Sequence, residues 1–125
     1  MDDKYIFWDD LASQIKDIPE DSIVSKTLED NDAFKLVLFG FAQGQSLSEH
    51  AVPQHALLQF VSGEAELTLG NDSMSVKAGS WAHMEPNLSH SLTASYYSKF
   101  RGEILPDNFS CLLSCFRIFS VFFKI

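Results

Sequence analysis

The sequence predicts an all-β single domain, a small barrel or sandwich. Three observations carry this: short apolar runs that alternate with polar residues, turn residues that separate them at even spacing, and a length suited to one core. At 125 residues the chain leaves no room for a second independent core. With 46% hydrophobic and 21% charged residues, the composition is that of a globular protein rather than a disordered or fibrous one. Neither internal repeats nor low-complexity linkers divide it.

Reading along the chain, Trp8, Leu11, Ile15 and Ile18 recur at three- and four-residue spacing and predict a short helix over residues 8–18, ended by Pro19. Residues 19–22 turn into a first strand over 23–28. After the polar turn 29–32, the run from Phe34 to Phe41 is apolar on both alternating faces, which predicts a central strand. Another apolar run covers 56–61. Ala65, Leu67 and Leu69 then alternate with Glu64, Glu66 and Thr68, and Gly70-Asn71-Asp72 turns the chain back. The return strand is expected to set Met74 and Val76 inward. Two more strands follow, over 80–84 and 89–94, divided by Glu85-Pro86-Asn87.

Charge and cysteine content exclude several functions. Seventeen acidic against nine basic residues give a net charge of −8, which repels a phosphate backbone and argues against a nucleic-acid partner. The acidic start, Met1-Asp2-Asp3-Lys4, has neither the basic patch nor the apolar run of a secretory signal, so the expectation is a cytoplasmic protein. Two cysteines, Cys111 and Cys115, are too few for a disulfide framework or a paired-cysteine zinc site, and reduced thiols are expected. A Gly-rich phosphate loop, a Gly-x-Ser-x-Gly elbow and a Cys-His nucleophile are all missing.

Two blocks carry the chemistry. Residues 44–63 resemble the first cupin motif, Gly-x5-His-x-His-x3-Glu-x6-Gly, with Gly44, His50 and Gly63 in register. Residues 79–94 resemble the second, Gly-x5-Pro-x-Gly-x2-His-x3-Asn, with Gly79 and His90 in register. Phe7-Trp8-Asp9-Asp10-Leu11, Leu47-Ser48-Glu49-His50 and residues 83–88 add a likeness to small single-domain cupins of the type-2, conserved-barrel group. The resemblance covers about the first three-quarters of the chain. It implies a single cupin jelly-roll barrel with a short N-terminal helix and an atypical C-terminal tail: residues 1–30 for the helix and first strand, 31–98 for the barrel core, 99–125 for the tail.

The resemblance also implies a cavity site. His-x-His on a strand aims two imidazoles to one side, and Glu with the distant His completes a metal cage. Here the second His slot is Val52, the Glu slot is Ala56, and Ala94 replaces the final Asn. The expected metal ligands are therefore His50 and His90, with His55, Gln59 or His83 as the candidate third donor to zinc, iron, manganese or nickel; two imidazoles alone are one short of a catalytic centre. On a regular strand Gln59 faces away from the cavity, whereas Pro53 could turn His55 inward. His50, Val52, Ala56 and His90 are the expected ligand-lining positions. Glu49 and Glu85 are candidate general bases, though carboxylates beside turns are ordinarily solvated. Asn87 stands where the motif has Gly and tolerates the left-handed backbone a turn needs.

The tail breaks the pattern. From Phe109 to Ile125 the chain is dense in Phe, Leu and Ile, yet shorter than the ~20 residues of a spanning helix. Three readings stay open: a strand or helix docked on the barrel or a partner, an interfacial amphipathic segment, or an altered reading frame at the gene's end. A helix from Ser110 would align Cys111, Cys115 and Phe119 or Phe122.

Three functions compete at this point. One is a domain holding a small molecule, with or without a divalent metal. Another is a metal-dependent enzyme of isomerase or dioxygenase type. The third is a partner protein acting through its tail, whose removal after Phe100 would leave the barrel folded. A homodimer paired through a sheet face is expected in each case.

Overall fold

The computed structural model describes residues 4–96 and 108–116. Its strands are β1 (Ile23–Asp30), β2 (Phe34–Phe41), β3 (Ser46–His50), β4 (His55–Ser62), β5 (Glu64–Leu69), β6 (Asp72–Lys77), β7 (Trp81–Met84), β8 (His90–Ala94) and β9 (Phe109–Phe116). They form two antiparallel sheets, a five-stranded one in the order β1-β2-β9-β4-β7 and a four-stranded one in the order β3-β8-β5-β6. The core lies between them: Phe41, Leu58, Phe60, Phe109 and Cys111 from the first sheet meet Ala65, Leu67, Val76, Leu92 and Ala94 from the second. This is the expected all-β jelly roll.

The sequence signals account for most of these elements. β2 is flanked on both sides, as its unbroken apolar run requires, and Leu38 and Phe41 are fully buried. Gly63, with φ +76°, carries the chain from β4 in one sheet to β5 in the other. A Cβ there would stand 2.8 Å from Phe109 Cα, so glycine is required both by backbone and by space. Asn87 adopts φ 68°, and the turn survives the loss of the motif glycine. Val76 is buried as expected. Met74 is 37% exposed instead, on the edge strand of its sheet.

The N-terminal helix is reduced to one 3-10 turn, Ala12–Gln14, with Ile15 already extended. So short an isolated helix is marginal, and here the Ser13 hydroxyl and the Gln14 amide both donate to the Asp10 carbonyl within that turn. The apolar spacing still serves burial. Ile15 and Ile18 lie over Gly40 of β2, close enough that a Cβ on that glycine would meet Ile18 Cδ1 at 2.6 Å.

Of the readings left open for the tail, the described part takes that of a strand docked on the barrel. Residues 109–116 form neither helix nor appendage but an interior strand: β9 pairs with β2 from Phe34↔Phe116 to Phe41↔Phe109 and with β4 from His55↔Phe116 to Phe60↔Cys111. The barrel thus continues past residue 98, and ending the chain after Phe100 would remove the strand that joins two halves of a sheet. Residues 117–125, with Phe119 and Phe122, lie outside the described residues.

Phe109 packs its ring against Phe41 and Phe60, with centroids 5.4 and 5.7 Å away, and is 1% exposed. Phe109→Ala should cost about 3–5 kcal/mol, a large part of the stability of a domain this size. Urea denaturation should show the midpoint falling at nearly unchanged slope, and a loss under about 1 kcal/mol would contradict the placement of β9.

Candidate functional site

β3 and β8 are neighbours, and their register sets the site. Ser46 opposes Thr93 and Leu47 opposes Leu92, but a bulge then shifts the pairing so that His50 faces His90. Leu47 points into the core; without the extra residue, strict alternation would send His50 outward. The bulge turns it in. The two imidazoles meet with centroids 4.1 Å apart and planes tilted 57°.

Each ring is held by its own backbone. His50 Nδ1 donates to the Ser48 carbonyl at 2.9 Å and His90 Nδ1 to the Leu88 carbonyl at 3.0 Å. That assignment follows from the bonding, since a carbonyl can only accept. In a neutral ring it leaves the lone pair on Nε2. His90 is 5% exposed while His50 is half-buried, so the pair runs from the interior to the barrel mouth. Burial lowers the His90 pKa, the Leu88 hydrogen bond partly opposes this, and the nearby His50 lowers it further. Neutral imidazole is therefore the form held near pH 7.

The cavity beside the pair is lined by both histidines together with Phe39, Leu47, Leu58 and Cys111, among others, and measures about 20 Å³. It has room for a single water-sized group. Cys111 is an inert part of this wall, its thiol pushed up to about 12 by burial. Four residues of extended strand hold Cys111 and Cys115 about 13 Å apart, too far for a disulfide between them.

The remaining expected residues are distributed differently. Ala56 is fully buried and Val52 packs against the core, but neither lines the cavity. Gln59 is exposed and opposes Trp81. His55 and His83 come together with each other, not with the interior pair: His55 Nδ1 lies 2.9 Å from His83 Nε2, and Glu85 is 3.5 Å from His55. Among the described residues, the group of three or more metal-capable side chains is His55, His83 and Glu85, and no such group includes His50 or His90. Glu49 lies on the exposed side of β3, where it accepts a hydrogen bond from Ser89 Oγ. Two wider clefts of about 450 Å³ each lie outside the barrel, one beside Trp8, Phe34 and Leu36 and one beside Ile18, Asp21 and Tyr96, and neither is lined by an imidazole.

Sequence reasoning located both interior histidines but not the bulge, because Ser48-Glu49 carries no glycine or proline to announce it. It offered His55 and His83 as candidate third donors to the interior pair, whereas the structure brings them together with each other and with Glu85. Residue parity was the available signal: Ala56 and Met84 are core residues, so their neighbours on the strand face out.

The solved structures agree with the fold. A cupin superfamily protein from Desulfitobacterium hafniense superposes with TM-score 0.70 at 24% identity, covering 85% of this chain and 86% of that one. An uncharacterised conserved protein with a double-stranded β-helix domain from Klebsiella pneumoniae gives TM-score 0.71 at 20% identity, covering 92% and 91%. A cupin 2 conserved barrel domain protein from Leptotrichia buccalis gives TM-score 0.70 at 27% identity over 85% of this chain, which spans 46% of that longer chain. No protein-family model matches the sequence, and no curated protein matches it significantly. The chain has the cupin-type, RmlC-like double-stranded β-helix fold. Among the described residues, no helix is long and apolar enough to cross a membrane.

The lowered His90 pKa has a defined consequence. The unfolded chain, in which a histidine titrates near 6.5, binds more protons than the folded one just below that pH, so acidification costs stability. His90's contribution is complete above about pH 6.5 and is lost as pH falls toward its lower folded value. Thermal melts between about pH 7.5 and 5.5 should show a fall in Tm that is smaller in His90→Gln, and equal falls in both proteins would contradict the assignment.

Proposed function

We propose that this cupin domain holds a small molecule at its mouth through the His50–His90 pair and does not act as a three-ligand metalloenzyme. The observation that carries this is the pair itself, two adjacent imidazoles with Nδ1 tied to the backbone and Nε2 left as an acceptor beside an apolar cavity of about 20 Å³. The residues do not fit the divalent metal that the fold suggests. Two of four motif slots are apolar, and among the described residues no third metal-capable group joins the pair. The enzyme reading, as an isomerase or dioxygenase, needs that third donor.

A ring that donates to a carbonyl through Nδ1 accepts, when neutral, through Nε2, so the ligand end that the pair recognises is a hydrogen-bond donor, a hydroxyl or ammonium group. The cavity admits only that group, and the rest of the ligand stays at the mouth beside half-buried His50. Screening polyols and amines by thermal shift should find compounds that raise Tm in the native protein and not in His50→Ala. Metal that survives dialysis, is lost in His50→Ala and is retained in His83→Ala would overturn the reading in favour of a metal centre.

The same proposal includes a homodimer. Trp81, 61% exposed on the edge strand β7, offers the large apolar surface that a two-fold mate covers. Light scattering should give twice the chain mass, reduced to the monomer by Trp81→Glu, and a monomeric native protein would remove this part.

A further inference from the structure

We infer that His55, His83 and Glu85 form a second site, a three-ligand zinc-type centre on the outer surface of the five-stranded sheet, separate from the barrel interior. Its placement follows from strand parity. Ala56 opposes Met84 across the β4–β7 ladder, and both are core residues, 0% and 1% exposed. Extending that register by one sets His55 opposite Glu85, and alternation turns His55, His83 and Glu85 together to the other side of the sheet. The interior pair and this triad therefore lie on opposite faces of the wall.

The donor geometry suits a metal. His55 Nδ1 and His83 Nε2 are 2.9 Å apart, His55 Nδ1 and Glu85 Oε2 are 3.5 Å apart, and one ligand atom from each of the three residues lies within 4.8 Å of the other two. Two ligand atoms at about 2.0–2.2 Å from a tetrahedral zinc are about 3.3–3.6 Å apart, so the His55–Glu85 spacing already matches and the imidazoles need to part by only about 0.4 Å. The rings are stacked, centroids 5.2 Å apart and 8° from parallel. Their facing nitrogens share one proton when no ion is bound. A cation requires both to be bare, which a tautomer change in one ring supplies without loss of a proton.

The backbone fixes the arrangement. Both histidines belong to paired strands, and the turn after Glu85 is tied to the loop before His55 by Asn87 N donating to the Val52 carbonyl at 2.7 Å. Two imidazoles and one carboxylate are the borderline donor set that zinc, cobalt and nickel prefer over magnesium or calcium. Glu85 is 75% exposed against 15% for His55, so the fourth coordination position opens to solvent and takes water. The net charge of −8 raises the local concentration of divalent cations.

The test is titration of the full-length, untagged protein with Zn²⁺ by calorimetry and with Co²⁺ by visible absorption. The native chain and His50→Ala should each bind one equivalent and develop the intense bands of four-coordinate cobalt, while His83→Ala and Glu85→Gln should each bind at least about tenfold more weakly. Glu85→Gln alters a solvent-exposed side chain and keeps the test decisive should His83→Ala fold poorly. Failure of the native protein to bind Zn²⁺, or binding that neither outer variant weakens, overturns the inference. Loss in His50→Ala with retention in Glu85→Gln also overturns it and assigns the ion to the interior pair instead.

Discussion

The structure depends on the seating of β9 between β2 and β4. Eight residues bond to β2 on one side and seven of β4's ladder positions bond on the other, so this one strand turns two hairpin-scale fragments into a continuous wall. Its register also decides parity. Because Cys111 opposes Phe60 and Leu113 opposes Leu58, β4 is fixed with Ala56, Leu58 and Phe60 toward the core. His55 is thereby committed to the outside, and β7 carries His83 and Glu85 out with it. A slip of one residue would exchange the two faces and place the polar triad in the core, which the burial cost of unpaired polar groups forbids.

The opposite sheet solves the converse problem. A polar pair can lie in an apolar barrel only if its hydrogen-bonding capacity is met, and here the backbone of the same segment meets half of it. Ser48 and Leu88, each two residues before its histidine, supply carbonyls that orient the rings and fix which nitrogen remains an acceptor. The bulge in β3 brings His50 into this arrangement. The interior is then small, apolar and weakly basic, suited to recognising one polar group and poor in the donors that metal catalysis requires.

Much of this was legible in the sequence. Gly44, His50 and Gly63, then Gly79 and His90, mark the barrel at motif spacing, and Gly63 and Asn87 adopt the left-handed backbone that their positions demand. Two features were not legible. The bulge replaces no residue type with another, and it exists only as a mismatch between two strands distant in the chain. The segment from Phe109 to Phe116 is apolar at helical and at strand spacing alike, and its length does not arbitrate. Ser110 and Ser114, alternating with Cys111, Leu113 and Cys115, held the period-two signal, masked by Leu112 and Phe116 on the polar side. The helical pattern of residues 8–18 misled for a related reason: spacing records which residues must be buried, not the backbone that buries them.

The central claim is that residues 109–116 are structural wall rather than appendage, and backbone hydrogen exchange tests it most directly. Amides of β9 should exchange through global unfolding, at the slow rate of β2 and β4. Exchange of β9 within the time of an unstructured segment, while β2 and β4 stay protected, would contradict the register on which both histidine groups rest.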